Sequence, residues 1–157
     1  MARGEPGLSA DQITLLDGGI GVELRARLPD ADTGLLPVTA LIERPDVVRD
    51  VHRAYLAAGA TVLTTNTYAT VAARMGAFAP RWAELLRLGA RLAGEARGAT
   101  KARIAGSLPP LHGSYRPDGV GEFSAIREVY AAHVAELAPL VDLFLCETMS
   151  TALEARA

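Results

Sequence analysis

The sequence has 157 residues, 50% of them hydrophobic and 22% charged, which is typical of a globular domain and not of a disordered chain. Its net charge of −2 argues against a nucleic-acid-binding surface. The single cysteine, Cys146, excludes a disulfide within the chain. No apolar run reaches the roughly 18 to 20 residues of a membrane-spanning helix. We therefore expect a soluble, cytoplasmic protein that binds neither nucleic acid nor membranes.

The beginning of the chain predicts a tail followed by a strand. Residues 1–11 combine glycine and proline without apolar periodicity and are expected to form a flexible tail, so that the domain covers residues 12–157. Ile13-Thr-Leu-Leu16 predicts a short buried strand, which ends in Asp17-Gly-Gly-Ile-Gly21. Residues 22–28 then predict one or two helical turns.

The next part of the chain predicts a loop and a helix. Residues 29–39 contain proline and glycine and are expected to form the loop. Pro45 suits the first position of a helix, where its missing N–H is not needed. Val48, Val51 and Tyr55 then recur at helical spacing. The helix is expected to end at Gly59, because glycine commonly terminates helices.

The stretch Thr61-Val-Leu-Thr-Thr65 predicts a second strand. It has no alternation of polar and apolar residues, which is typical of a strand that is buried on both faces of a parallel sheet. Asn66, Thr67 and Tyr68 follow it immediately and place amide and hydroxyl groups at the end of the strand. In α/β folds, this end of a strand is where ligands bind.

The second half of the chain repeats the same alternation. Leucines from Trp82 to Ala96 predict a helix, and Arg103-Ile-Ala-Gly-Ser107 predicts a third strand. Apolar residues from Ile126 to Leu137 predict another helix, which is followed by a fourth strand at Val141-Asp-Leu-Phe-Leu-Cys146. Thr151-Ala-Leu-Glu154 has the form of a capping box and predicts the start of a last helix.

Strands that alternate with helices in this way predict an α/β fold with a parallel sheet. Two architectures remain open: a doubly wound sheet, and the first four βα units of a (βα)8 barrel, whose full length is roughly 250 residues. The sequence ends one turn after the last helix begins, which favours a half barrel that is truncated at its C-terminus. Such a half would expose two sheet edges and an apolar inner face.

Two carboxylates, Asp17 and Glu147, directly follow predicted strands. In a parallel sheet both lie at one rim, where they can hold an ammonium group or act as an acid/base pair. Each has a purely structural alternative. Asp17 can form an Asx turn before the glycines, and Glu147 can lie at the positive end of the following helix.

The remaining reactive side chains are mostly expected to be structural. His52 and His133 lie within predicted helices, whereas His112 lies in a loop at the rim and is the histidine that is a candidate for a functional role. Lys101 precedes the third strand and so lies at the opposite end of the sheet, which argues against a Schiff-base aldolase. Cys146 alternates with Glu147 and is expected to be a buried, inert thiol on the helix side.

Several short motifs together resemble the homocysteine S-methyltransferase family. Their order and spacing match the N-terminal half of that domain over about residues 13 to 157. The matching motifs are Leu15-Leu-Asp-Gly-Gly19, Val51-His-Arg-Ala-Tyr-Leu-Ala-Ala-Gly-Ala60, Leu63-Thr-Thr-Asn-Thr-Tyr68, Ala105-Gly-Ser107, Val141-Asp142 and Glu147-Thr148.

The resemblance implies a (βα)8 barrel that methylates homocysteine to methionine, with a zinc ion that activates the substrate thiol. Homocysteine and a small methyl donor would be its binding partners. By the same resemblance, Asp17 and Glu147 would hold the ammonium group of the amino acid. The other expected substrate-binding residues are Gly18, Gly19, Thr65, Asn66 and Thr67.

The sequence also departs from the family pattern. The family's zinc ligands are cysteines late in the domain, in a Gly-Gly-Cys-Cys run that this sequence lacks, so zinc is expected only for the full-length domain. Ser107-Leu-Pro-Pro110 replaces Ser-x-Gly-Pro, and Leu36-Pro37 stands where many members carry tryptophan. The methyl donor therefore stays open among betaine, S-methylmethionine, S-adenosylmethionine and a cobalamin-borne methyl group.

Three functions are consistent with the sequence. The first is the N-terminal half of a zinc-dependent homocysteine S-methyltransferase, with little or no activity on its own. The second is a non-catalytic half barrel that assembles with itself or with another chain through its open sheet edges. The third is a different barrel enzyme that uses Asp17 and Glu147 without a metal.

Overall fold

A parallel three-stranded sheet forms the centre of the protein. The computed structural model describes residues 14–32 and 34–157, so the predicted tail and Ile13 lie outside the described residues. The strands are β1 (Val62–Thr64), β2 (Arg103–Leu108) and β3 (Leu143–Cys146), in the order β1-β2-β3. Both pairs are parallel, as predicted.

The segment before Asp17 continues this sheet beyond β1. Leu16 forms an isolated parallel bridge with Val62. The Thr61 N–H donates to the Leu15 carbonyl at 2.8 Å, and the Asp17 N–H donates to the Val62 carbonyl at 3.1 Å. The predicted first strand therefore lies where expected, although its described part is too short to be assigned as a strand.

Six α-helices accompany the sheet in the described part of the chain, and most of them match the predicted positions. The C-terminal end of the fourth helix is followed by Gly98, whose φ of +52° suits glycine. The helices are α1 (Ile20–Arg27), α2 (Leu36–Glu43), α3 (Pro45–Ala57), α4 (Trp82–Arg97), α5 (Phe123–Leu137) and α6 (Ala152–Arg156).

Helix α2 corrects the prediction of a loop over residues 29–39. Pro37 lies in its first turn, where the missing N–H is not required for an intrahelical hydrogen bond, so this proline is compatible with the helix. Val38 and Leu41 are buried in the main hydrophobic core. The burial of this apolar face therefore stabilises the short helix. From the sequence, the proline and glycine residues of this stretch predict a loop instead.

The capping box at the start of α6 is confirmed for Thr151, whose hydroxyl accepts a hydrogen bond from the Glu154 N–H at 3.1 Å. Glu154 is 2% exposed, and its carboxylate does not complete the box. It accepts instead from the N–H groups of Ser150 and Leu111, at 3.0 and 3.2 Å. Glu154 therefore joins the segments that follow β2 and β3.

The helices cover one face of the sheet. Leu63 and Ile104 pack against Ala93 and Ala96 of α4 and are fully buried. Leu15 and Leu16, next to the edge of the sheet, are 50% and 46% exposed. The prediction of a buried first strand is thus wrong for Leu15 and Leu16, which lie exposed at one edge of the sheet. Across residues 14–32 and 34–157, no helix combines the length and apolar character needed to cross a bilayer.

Candidate functional site

A cavity of about 450 Å³ lies at the carboxyl ends of the strands, which is a typical size for a small-ligand site. It brings together the segment after Leu16, the exit of β1 and the exit of β3. Six of the seven residues predicted to bind substrate line it: Asp17, Gly18, Gly19, Thr65, Asn66 and Glu147.

Asp17 is held in the cavity wall by Thr64. One carboxylate oxygen accepts from the Thr64 N–H and the other from the Thr64 hydroxyl, each at 2.7 Å. The interpretation of Asp17 as a local Asx turn is therefore wrong, because both oxygens bond across to β1. Burial raises the pKa of the Asp17 carboxyl above its ordinary value of 3.8, and the two Thr64 hydrogen bonds oppose this rise.

Glu147 lies in the same cavity at the end of β3. Its Oε1 accepts a hydrogen bond from the Ser107 hydroxyl. Burial raises the pKa of Glu147, and the negative charge of Asp17 raises it further, while the Ser107 hydrogen bond acts in the opposite direction. The two carboxylates thus share one electrostatic environment, in which a bound cation would stabilise both.

The alternative position for Glu147, at the positive end of the following helix, does not describe the structure. The carboxylate next to the start of α6 belongs to Glu154, which accepts from the Ser150 N–H. Glu147 bonds to Ser107 on β2 and faces the cavity instead. Both predicted carboxylates therefore lie at one rim, as the parallel sheet required.

The glycines after Asp17 bring the start of α1 to the cavity. A Cβ on Gly18 would lie 2.9 Å from the Tyr55 hydroxyl oxygen, so a side chain at this position would displace the Tyr55 ring. The Tyr55 hydroxyl donates to the Gly19 carbonyl at 3.3 Å. Gly19 is the N-cap of α1, and the first N–H groups of a helix have no intrahelical partner. This end of α1 therefore suits a negatively charged ligand group.

Asn66 connects the cavity to the unpredicted helix α2. Its side-chain amide donates to the Pro37 carbonyl at 3.0 Å, and Pro37 also lines the cavity. The sequence predicts Asn66 at the exit of β1 but gives no signal for this partner, because residues 29–39, which include Pro37, predict a loop. Helix α2 therefore closes one side of the site.

Thr67 is the predicted residue that does not line the cavity. It is fully buried, and its hydroxyl lies 2.7 Å from the Thr65 hydroxyl. Thr65 in turn accepts from the Ser107 N–H at 3.0 Å. Behind Thr67, helix α4 passes so close that a Cβ on Gly89 would lie 2.8 Å from the Thr67 methyl carbon. Thr67 thus supports the cavity wall from behind.

Cys146 is exposed, which corrects the prediction of a buried thiol. It lies on the helix side of the sheet, as the alternation with Glu147 predicted, in a small depression with Tyr130 and Met149. β3 is the last strand of the described sheet, so little covers the Cys146 side chain. The sequence alone does not show this position of β3.

The three histidines lie outside the cavity lining. His133 is 2% exposed and its ring nitrogens lie 2.8 and 3.2 Å from the carbonyls of Val129 and Thr70, which confirms its structural role. His52 lies within a helix, α3, as predicted, and is fully buried. His112 is exposed, and its loop position does not bring it into this site.

Two residues that contribute to the site were missed from the sequence. The sequence predicts Thr64 only as part of a buried strand, although it holds both oxygens of Asp17. Arg25 lies on α1 and is the basic residue in the cavity lining among the described residues. Its spacing from Gly21, one helical turn earlier, was the available signal, because residues four apart share a helix face.

Comparison with known proteins agrees with this geometry. A family model described as homocysteine S-methyltransferase matches residues 14–157. The chain belongs to the homocysteine S-methyltransferase family. A homocysteine S-methyltransferase from Escherichia coli (strain K12) is 32% identical over 161 residues, which cover 90% of this chain and 52% of the relative. The homocysteine S-methyltransferase YbgG from Bacillus subtilis (strain 168) is 28% identical, covering 92% and 53%.

Solved structures of this family have the same fold. The metallated form of the Escherichia coli homocysteine methyltransferase MmuM matches with a TM-score of 0.78 at 30% identity, covering 92% of this chain and 57% of that chain. The oxidised form matches with a TM-score of 0.80 at 29% identity. The chain spans about half the length of the relatives it matches. These matches confirm the prediction of half a (βα)8 barrel.

Proposed function

We propose that this chain forms the amino-acid-binding half of a homocysteine S-methyltransferase. Asp17 and Glu147 hold the ammonium group of L-homocysteine. The observation that carries this proposal is that two carboxylates from opposite ends of the chain line one cavity. An ammonium group placed between them would replace the repulsion of two negative charges by two charge-assisted hydrogen bonds.

The cavity also complements the other end of an amino acid. The start of α1 offers unpaired N–H groups and the positive end of its helix dipole, and Arg25 adds a full positive charge. The cavity thus has an anionic and a cationic side. This distribution favours a zwitterionic amino acid, because each of its two charged groups would meet a side of the cavity with the opposite charge.

The zinc ion that the resemblance implies does not fit the residues of this cavity. In residues 14–32 and 34–157, no group of three or more His, Cys, Asp or Glu side chains could hold a metal. The thiol of Cys146 lies on the other face of the sheet. When bound, zinc would stabilise the substrate thiolate for methyl transfer to form methionine. Its ligands must then come from outside the described residues.

Ligand binding to the purified chain tests this function. Titration with L-homocysteine, followed by NMR or calorimetry under reducing conditions, should show binding that depends on Asp17 and Glu147. Asp17→Asn should weaken binding about tenfold or more, since it removes one charge-assisted contact. Binding that survives this substitution intact would favour the metal-free barrel enzyme instead.

Metal analysis with a methionine-formation assay tests the position of the zinc site. The chain alone should bind zinc weakly and form little or no methionine with any of the four candidate donors. Stoichiometric, tightly bound zinc together with full activity would show that the described residues hold the catalytic metal after all.

A further inference from the structure

Three hydroxyl groups from different loops meet beside the cavity. The Tyr68 hydroxyl bonds to the Ser114 hydroxyl and lies 3.1 Å from the Thr148 hydroxyl oxygen. The Ser114 hydroxyl also lies within 3.5 Å of Thr148. Tyr68 follows β1, Ser114 follows β2 and Thr148 follows β3. The cluster therefore joins the exits of all three strands.

The donors and acceptors of this cluster form a chain of hydrogen bonds that ends at the Glu147 carbonyl. The Thr148 hydroxyl donates to the Glu147 carbonyl at 2.8 Å, so it must accept from its other neighbours. Tyr68 can donate to Thr148, and Ser114 can donate to Tyr68. Each hydroxyl then donates once, and the chain runs from Ser114 through Tyr68 and Thr148 to the backbone of Glu147.

Thr148 has a backbone conformation that it would not adopt by itself. Its φ is +51°, in the left-handed region that is unfavourable for β-branched residues. Such a conformation persists only where the surroundings hold it. The Tyr68 hydroxyl supplies that restraint, because it binds the side chain of the strained residue directly, and Ser114 acts on Thr148 through Tyr68.

Tyr68 is itself fixed from the other side. The Arg74 guanidinium carbon lies 5.7 Å from the centre of the Tyr68 ring, and Arg74 donates to the Pro110 carbonyl at 3.3 Å. The loop that carries Ser114 is also joined to the exit of β3 by the Arg116 N–H, which donates to the Ser150 hydroxyl at 3.1 Å. The cluster therefore connects parts that are already restrained.

We propose that the Ser114–Tyr68–Thr148 hydroxyl chain positions Glu147 for recognition of the substrate ammonium group, an inference that rests on the proposed function. Ser107 holds the carboxylate end of Glu147, and the hydroxyl chain holds its backbone end. With both ends fixed, the carboxylate stays aimed into the cavity before a ligand arrives. Ser114 acts as a positioning residue and does not touch the ligand.

Two ligands that differ only in the ammonium group test this role. The probes are L-homocysteine and 4-mercaptobutanoate, which keeps the thiol and the carboxylate. The wild-type chain should bind homocysteine more tightly. Ser114→Ala should weaken homocysteine binding by about tenfold, comparable to one charge-assisted hydrogen bond, and leave 4-mercaptobutanoate binding unchanged.

Matched variants separate positioning from folding. Ser114→Thr keeps the hydroxyl and should restore binding, and Ser124→Ala, at an exposed serine of α5, should have no effect on either ligand. Thr148→Gly removes the hydroxyl but suits a positive φ, so it should fold well and still lose the preference for homocysteine. Thermal unfolding of each variant verifies that the chain remains folded.

The outcomes distinguish the two proposals. If wild-type chain does not prefer homocysteine over 4-mercaptobutanoate, ammonium recognition is wrong and the positioning role is wrong with it. If wild-type chain shows the preference and Ser114→Ala retains it, only the positioning role is overturned. An equal loss for both ligands would also overturn it, since a general structural defect does not discriminate between them.

Discussion

Asp17 and Thr64 are joined by two hydrogen bonds of 2.7 Å although 47 residues separate them in the sequence. The pair links the edge segment of the sheet to β1 at the rim of the cavity. It also fixes which way the Asp17 carboxylate faces, because both of its oxygens are held by one residue. A ligand therefore meets a carboxylate that is already oriented.

Thr64→Val tests the contribution of the hydroxyl half of this pair. Valine has nearly the same shape and keeps the main-chain hydrogen bond, but it removes one of the interactions that lower the pKa of Asp17. The pKa of Asp17 should therefore rise further, and homocysteine binding should weaken by several-fold to tenfold. Carboxyl ¹³C NMR titration measures the pKa directly.

Thr61→Val is the matched control for this substitution. The Thr61 hydroxyl donates to the Leu15 carbonyl at 3.2 Å, in the same part of the sheet but not to a carboxylate. It should leave the Asp17 titration unchanged. Equal shifts in the two variants would show that the Thr64 hydroxyl has no specific effect on Asp17.

Glu147→Gln should weaken ligand binding and stabilise the fold. The pKa of Glu147 is raised, so the folded chain binds this proton more tightly than the unfolded chain does. Stability contributed by the site is therefore greatest at acidic pH and falls as pH rises through the ordinary value of 4.5 towards the raised folded value. A neutral glutamine removes that loss.

The expected gain at pH 7 is on the order of 1 kcal/mol or less, because the site is partly open to solvent, and corresponds to a rise of a few degrees in Tm. Thermal unfolding at pH 7 and pH 4 measures it, with a smaller difference between variant and wild type at pH 4. A variant that is less stable than wild type at pH 7 would contradict the interpretation that the charged Glu147 side chain destabilises the fold.

The sequence predicted the parts of the site that depend on strand order. Periodicity located the exits of the strands, and a parallel sheet required Asp17 and Glu147 to share a rim. It could not predict the position of Thr67, because two threonines that are two residues apart in an exit loop give no signal of which one faces the cavity. The exposure of Cys146 likewise depends on what covers β3, which local sequence does not encode.

Acid should destabilise the fold through His52. This side chain is fully buried, and neither ring nitrogen has a hydrogen-bond partner among the described residues. Burial lowers the pKa of His52 from 6.5 to about 4. Between these values the unfolded chain takes up a proton that the folded chain does not. The contribution of His52 to stability is therefore fully present above pH 6.5 and is lost as pH decreases towards 4.

The expected loss is about 3 kcal/mol between pH 7 and pH 4, from roughly 1.4 kcal/mol per unit of pKa difference. Urea unfolding at both pH values measures it. His52→Leu should remove most of this dependence on pH, while His112→Leu, at an exposed position, should retain it. The same acid sensitivity in His52→Leu as in wild type would exclude His52 as its cause.

Gly89→Ala should distort the wall of the cavity from the outside. A Cβ at this position of α4 would lie 2.8 Å from the Thr67 methyl carbon and 3.3 Å from the Asn66 carbonyl oxygen, so the helix or the exit of β1 must move. We expect a loss of about 1–3 kcal/mol in stability, as for other overpacked cores, and weaker homocysteine binding.

Gly94→Ala is the control on the same helix, because nothing lies within 4 Å of its added Cβ. It should stabilise α4 by about 0.5–1 kcal/mol through helix propensity and leave binding unchanged. Urea unfolding and homocysteine titration of both variants decide the matter, and equal stability of the two would show that α4 does not press on Thr67.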